Sequence, residues 1–309
     1  MVTMVYMQNL IRTVSSLLRF GPMDAVAVGV IHFQSESFEC FEVINREGVT
    51  DVAQEPQIFF DLASLTKPLT NSLSYFLRPE AFSNELLLCL NHRGGLPSWG
   101  LLPSKGWREQ ILSYPITLSE TLYSDFSALR VMLELEAKGI NQHELCSSVW
   151  DDKTVFWTHL PQDARCLQTG FKKANPNFGQ VHDPNAWTVG SFCSHAGLFA
   201  PIDSLCQTLI NYQKKTNFIS KVRDDLGSHQ NRFSCGWDRV ENPDNTLAGR
   251  GCGVRTFGHL GFTGTSIWID PDRMLGHVIL SNTVKYHWFD KANLNDMRRA
   301  VGELIWQEL

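Results

Sequence analysis

The chain has 309 residues, 43% of them apolar and 19% charged, and a formal net charge of −5. A chain of this length and composition buries a substantial core, as one large domain or two smaller ones, and is not a disordered polymer. The mild acidity carries no basic stripe able to track a phosphate backbone, which argues against nucleic acid as a partner, and no apolar run reaches the length of a membrane span.

At the N-terminus, "MVTMVYMQNLIRTVSSLLRF" repeats Met7, Leu10, Ile11, Val14, Leu17 and Leu18 at three- and four-residue steps. That spacing predicts one face of an amphipathic helix, not the continuous apolar block of a signal peptide. Without an export signal the expected compartment is the cytoplasm, or the periplasm if the chain has been processed. "DAVAVGVIHF" (Asp24 to Phe33) and "FECFEVIN" (Phe38 to Asn45) predict two strands joined as a hairpin. From Ser64 to about Leu145 the patterns are short and helical, broken by "RPE", "GGLPSWG" and "LLPSKG". Two stretches rich in Gly, Asn, Pro and Asp, about 169–186 and 227–258, predict long loops. "GTSIWID" and "GHVILSN" form a second strand pair turned at "PDRM", and a closing helix carries Leu294, Met297, Val301, Leu304 and Ile305 on one face.

The expected architecture is α/β (α+β), a single catalytic domain over 1–309. An antiparallel sheet flanked by N- and C-terminal helices comes from about 1–63 and 190–309. A reduced, mostly helical and loop region, about 64–189, is inserted between them. A cleft between two such regions is a usual place for a small-molecule site.

The eight cysteines are scattered without C-x-x-C pairs, and the ten histidines form no HExxH or comparable motif, so neither a metal nor another cofactor is expected. The cysteines read as small reduced core residues. "GRGCG" (Gly249 to Gly253) has no strand before it and no helix pattern after it, and reads as a flexible loop. His182, Asp183 and His195 read as hydrogen bonders that pin loops. Trp99, Trp107, Trp187 and Trp237 lie in or beside the long loops, where some could line a substrate wall.

The stretch "FFDLASLTKPLT" sets Ser64 and Lys67 three residues apart, on one face of a helix. A serine hydroxyl is a poor nucleophile until a base takes its proton. A lysine amine serves only if burial and neighbouring positive charge lower its pKa. By itself the pair also fits an ordinary solvated helix turn.

The words that follow are "LLLCLNHRGGLPSW", "LYSDFSALRVMLELEAKG", "VHDPNAWTVGSFCSHAGLF", "FSCGWD" and "FGHLGFTGTSIWIDP". With S-x-x-K at Ser64, a Y-x-N-like "YSD" and an H-x-G "HLG" in this order, the chain resembles the serine β-lactamase and penicillin-binding-protein superfamily. The resemblance, from about the first helix to the last, is to the class C β-lactamase-like branch of esterases and D-peptidases. It implies Ser64 as the acylated nucleophile and Lys67 as its base or proton relay. It implies Tyr123 as a proton carrier facing the serine, and His259 as a group that holds positive charge or orients Tyr123. The backbone N–H groups of Ser64 and Phe262 would form the oxyanion hole. Asp125, Gly261 and Thr263 would contact substrate, Gly261 because a residue without a β-carbon lets the strand come close.

Three features depart from the family pattern. Asp125 stands where asparagine is common, adding a negative charge and removing two amide donors. Leu260 stands where threonine is common, losing a hydroxyl that helps anchor a substrate carboxylate in lactamases. The passage from Lys67 to "LNHRGGLP" is short, and "LNHRGG" replaces the frequent "LTHTSG", so a reduced helical region and a more open cleft are expected. The leading reading is a serine hydrolase that forms an acyl-enzyme from a small ester, amide or peptide. A penicillin-binding-type D-amino-acid peptidase or transpeptidase, or a β-lactamase, is the alternative within the class. A catalytically idle homologue that binds a ligand or partner is the alternative outside it. The sequence leaves the oligomeric state open.

Overall fold

In a computed structural model of the protein, the structure describes residues 2–55, 57–286 and 291–309. An eight-stranded antiparallel sheet joins the two ends of the chain. From the N-terminal side come β1 (Ala25–His32), β2 (Ser37–Arg46) and β3 (Val49–Val52). From the C-terminal side come β10 (Phe233–Ser234), β11 (Trp237–Arg239), β12 (Phe257–Gly261), β13 (Thr265–Asp270) and β14 (Leu275–Ser281). The order is β10-β11-β12-β13-β14-β1-β2-β3, so the seam between the termini is the β14–β1 pair, with Val28 opposite Ile279. The expected strand pairs and the mixed α/β fold class are found, with boundaries moved by one or two residues.

The central strands β1, β13 and β14 are buried on both faces and are rich in apolar residues. Successive side chains alternate across a strand. In β1, Val26, Val28 and Val30 face one core, whereas Ala25, Ala27 and Ile31 face the other. The first core is closed by α1 (Val2–Arg19) and the C-terminal α10 (Ala292–Glu308). Leu10, Val14 and Leu18 of α1 meet Leu294, Met297, Val301 and Ile305 of α10 there, all buried, as the three- and four-residue spacing requires. On the opposite face, α8 (Ile202–Thr216) lies so close to β1 that a β-carbon on Gly29 would sit 2.3 Å from Cys206 Sγ. An aromatic stack ties α8 and α9 (Phe218–Ser228) to the sheet: Tyr212 to Phe218 at 4.1 Å, Phe218 to Trp237 at 5.4 Å, and Trp237 to Phe257 at 5.5 Å between ring centroids.

The stretch 64–189 holds the short helices α2 (Leu73–Leu77), α3 (Asn84–Leu90), α4 (Trp107–Ser113), α5 (Asp125–Ala137), α6 (Gln142–Ser147) and α7 (Pro184–Val189). It also holds a hairpin of β7 (Phe171–Lys172) and β8 (Asn175–Pro176). A second, four-stranded sheet is built from β4 (Ile58–Asp61), β5 (Val155–Phe156), β6 (Arg165–Cys166) and β9 (Leu198–Ala200), in the order β5-β9-β4-β6. Its strands are two to four residues long, too short for a periodic sequence signal. No helix among the described residues is long and apolar enough to cross a membrane.

β4 delivers Ser64. The chain leaves this buried strand, makes a 3-10 turn at Ala63–Leu65 and enters a helix that is π-helical over Pro68–Ser72 before α2. Proline has no N–H to donate and its ring crowds the carbonyl four residues back, which here is that of Ser64. A wider turn at this point relieves that conflict.

Candidate active site

Ser64 is half-buried at the edge of a cleft of about 790 Å³, lined among others by Tyr123, Asp125, His182, Asp183 and Phe262. The residue before it, Ala63, has φ +47°, a left-handed conformation costly for a residue with a β-carbon. Asp61 holds that turn by accepting from the Ala63 N–H at 2.8 Å, and its other oxygen accepts from the His182 N–H at 2.6 Å. Burial pushes the Asp61 carboxyl up to about 6 against these two bonds.

Lys67 is buried and places Nζ 3.0 Å from Ser64 Oγ. The same nitrogen donates to the His195 carbonyl at 3.0 Å and pairs with Asp125 Oδ1 at 2.7 Å. Burial alone would lower the Lys67 pKa, but the Asp125 carboxylate and the Tyr123 oxygen outweigh it and hold the group above the ordinary lysine range. The neighbouring positive charge that a lysine base requires is absent from this immediate set; its neighbour is an acid.

Tyr123 and Asp125 arrive on the N-terminus of α5. Ser124 caps that helix, accepting from the Ser127 N–H at 2.8 Å. Three further bonds fasten the segment to the loop before it. Ser124 Oγ donates to Pro97 O at 2.6 Å, the Asp125 N–H to Ser98 O at 2.8 Å, and the Ser124 N–H to His92 Nδ1 at 3.1 Å. His92 in turn packs on the Tyr123 ring at 4.7 Å. The Tyr123 phenol faces both Ser64 and Lys67. Burial pushes it up, Lys67 pulls it down and Asp125 raises it, for a net rise.

His259 lies on β12, buried, with its ring 5.8 Å from that of Tyr123. Its Nδ1 is 2.9 Å from the Leu260 carbonyl, so that nitrogen is the donor and Nε2 the acceptor. Burial, with Lys67 adding to it, pushes His259 down to about 3. The ring is therefore neutral at pH 7 and supplies no positive charge, unlike one of the two roles expected for it.

The turn from β12 into β13 is stitched to the segment leading to Ser64. Thr263 Oγ1 donates to Asp61 O at 2.6 Å and Thr265 Oγ1 to Leu62 O at 3.0 Å. Gly261 permits this approach, since a β-carbon there would be 2.7 Å from the Leu62 carbonyl and 1.9 Å from Thr265 Oγ1. Thr263 is fully buried with its hydroxyl engaged, so it joins two segments and does not face substrate as expected. Phe262 does line the cleft, half-exposed and stacked on His182 at 5.5 Å. Leu260 packs against the α1–α10 core, on the face of the sheet away from His259 and Gly261.

Opposite these groups, His195 Nε2 pairs with Asp183 Oδ1 at 2.9 Å, and the same oxygen accepts from the Ala186 N–H at 2.8 Å to cap α7. Burial opposes the charge on His195, but Cys193 and Asp183 raise its pKa well above the usual value. His182 Nδ1 lies 2.9 Å from Thr169 O. These residues pin loops, as their sequence setting suggests, and they also wall the cleft. Among the described residues, no group of three or more His, Cys, Asp or Glu is placed to hold a metal ion.

Part of the sequence and most of the fold are similar to known proteins. The family model described as Beta-lactamase matches residues 152–301, which include His259, Gly261 and Phe262 but not the Ser64 or Tyr123 segments. A Salmonella enteritidis protein provisionally named D-alanyl-D-alanine carboxypeptidase is 34% identical over 121 residues, and a Salmonella typhi counterpart 32% identical over 126. Each alignment covers 36% of this chain, and the chain spans only 28% of each relative's length. Among solved structures, a class C β-lactamase from Rhodobacter sphaeroides superposes with a TM-score of 0.66 at 15% identity, covering 96% of this chain and 98% of that one. A β-lactamase/D-alanine carboxypeptidase from Pseudomonas syringae gives 0.64 at 13% identity, covering 97% and 98%. Residues 152–301 thus match the Beta-lactamase family model, and over nearly all of its length the chain has the fold of these solved class C β-lactamase and D-alanine carboxypeptidase structures.

Proposed function

We propose that the protein is a serine acyl-hydrolase that forms an acyl-enzyme at Ser64 from a small ester, amide or short peptide. The observation that carries this reading is Lys67 Nζ at 3.0 Å from Ser64 Oγ, at the wall of an open cleft. In this scheme the Ser64 oxygen attacks the acyl carbon while its proton passes to the Tyr123 oxygen, and the Tyr123 proton moves on to the leaving ester oxygen or amide nitrogen. The backbone N–H groups of Ser64 and Phe262 receive the oxyanion, and Gly261 lets that strand come close enough to do so. Water then releases the acyl group by the reverse sequence. His259, neutral and with its ring 5.8 Å from that of Tyr123, orients the phenol.

The names of the curated relatives favour a peptide arm, release of a C-terminal D-amino acid, as the second reading. Incubation with a fluorophosphonate, a fluorescent penicillin and a short-chain activated ester, followed by intact mass and turnover, tests both. Fast ester turnover without penicillin capture supports the esterase arm. A long-lived penicilloyl adduct supports the peptidase arm. If Ser64→Ala behaves like the parent throughout, the serine mechanism is wrong.

A further inference from the structure

We propose that Asp125 is a positioning residue that keeps Lys67 as an ammonium, so that Lys67 acts on Ser64 as a hydrogen-bond donor and fixed charge and not as the base that removes its proton. The proposal rests on the reading of Ser64 as the nucleophile and assigns its neighbours a division of labour that the reading leaves open.

The geometry is a matter of counting donors. An ammonium has three N–H donors and no lone pair; a neutral amine has two donors and one lone pair. Lys67 Nζ hydrogen-bonds to Ser64 Oγ at 3.0 Å and His195 O at 3.0 Å, and it meets Asp125 Oδ1 in an ion pair at 2.7 Å, with the Tyr123 ring 4.9 Å away. A neutral amine making the same two bonds would turn its lone pair toward a carboxylate oxygen, so the ammonium suits this set. Asp125 keeps 15% side-chain exposure at the cleft.

The other groups around Lys67 do not overturn this. From the α5 side come Tyr123, whose ring lies 4.9 Å from Nζ, and Asp125. His92 and His259 both feel the lysine charge and are themselves held neutral by burial. Asp183 faces it from the far wall, already paired with His195. Arg232 stands behind the two neutral histidines and is paired with Asp238 at 2.8 Å. The proton acceptor for Ser64 is then the Tyr123 oxygen, with Lys67 stabilising the negative charge that grows on Oγ.

The test is to follow the Lys67 side-chain nitrogen and ε-carbon by NMR against pH in isotope-labelled parent, Asp125→Asn and Asp125→Glu proteins, with Lys67→Arg identifying the signal. In the parent, the lysine should stay charged across pH 6–10, at the upper end of which a free lysine, with a pKa of about 10.4, begins to titrate. Asp125→Asn should bring its titration down by roughly 1–3 units, and Asp125→Glu should restore the parent behaviour. In parallel, the rate of fluorophosphonate capture at Ser64 should show no lysine limb in the parent and gain one in Asp125→Asn. A parent lysine that loses its proton below pH 8, or an Asp125→Asn lysine that titrates with the parent, overturns the proposal. Failure of Ser64 to react with the probe defeats the hydrolase reading alone, because the lysine titration still decides the charge state.

Discussion

Thr265 Oγ1 donates to the carbonyl of Leu62 at 3.0 Å, although 203 residues separate them in the chain. This bond and its neighbour from Thr263 clamp the β12–β13 turn to the turn that presents Ser64. The proposed oxyanion donors of Ser64 and Phe262 owe their common location to that clamp.

Gly261→Ala should therefore damage both stability and activity. The new β-carbon meets the Leu62 carbonyl at 2.7 Å and Thr265 Oγ1 at 1.9 Å, and neither backbone can retreat without moving Phe262. An overpacking cost of about 1–3 kcal/mol is expected from urea denaturation. In a turnover assay kcat should fall more than KM rises, because the displaced donor matters most as the oxyanion forms.

Tyr123→Phe keeps the ring that packs on His92 at 4.7 Å and removes only the hydroxyl. Proton transfer through a placed side chain contributes about 10²–10⁴-fold, so kcat on an activated ester should fall within that range. The thermal midpoint should move little, since about one hydrogen bond's net stability is at stake. Parent-like kcat would exclude Tyr123 from proton transfer.

Asp183→Asn separates charge from capping. Asparagine can still accept from the Ala186 N–H, so α7 keeps its cap. What is lost is the carboxylate opposite His195, whose ring is buried. Removing one partner of a buried pair costs about 3–5 kcal/mol, reduced here to the extent that His195 sheds its proton. Denaturant midpoints at pH 5.5 and 8 should show the larger loss at the lower pH, where His195 must remain charged.

Asp61 gives stability a pH dependence of definite sign. Its folded pKa is pushed up to about 6, above the unfolded value of roughly 4. Between those values the native state binds the extra proton, so this contribution is full below about pH 4 and is lost as pH rises through about 6. The two-unit gap corresponds to about 3 kcal/mol. Urea titrations across pH 4–7 should show a slope in the parent that Asp61→Asn flattens by one proton. Equal slopes in the two proteins would show that Asp61 is not the group responsible.

Much of the architecture is legible in sequence because its signals are local. Val26, Val28 and Val30 alternate with Ala25 and Ala27 in β1, and α1 repeats Leu10, Val14 and Leu18 at helical spacing. Ser64 and Lys67 are likewise legible as neighbours, being three residues apart on one short helical stretch. The Asp125–Lys67 pair is not, because it depends on where the N-terminus of α5 docks, and that is set by His92, Pro97 and Ser98. Thr263 misleads for the same reason: next to a cleft-lining residue its hydroxyl looks available, yet it is committed to Asp61 O. The loss of a hydroxyl at Leu260 has a different setting from the one its motif suggests, since that side chain packs on the α1–α10 core.

The clamp between the β12–β13 turn and the Ser64 turn also bears on how the molecule is made. Ser64, Tyr123 and Phe262 come from segments far apart in the chain, and each is held by bonds spanning it, Leu62 to Thr265 and Lys67 to His195 among them. Contacts of such sequence separation form only after long loops close. The reactivity proposed for Ser64 would thus belong to the finished molecule alone, and the rate at which a serine probe begins to label refolding protein would time the final docking of the C-terminal strands onto the rest.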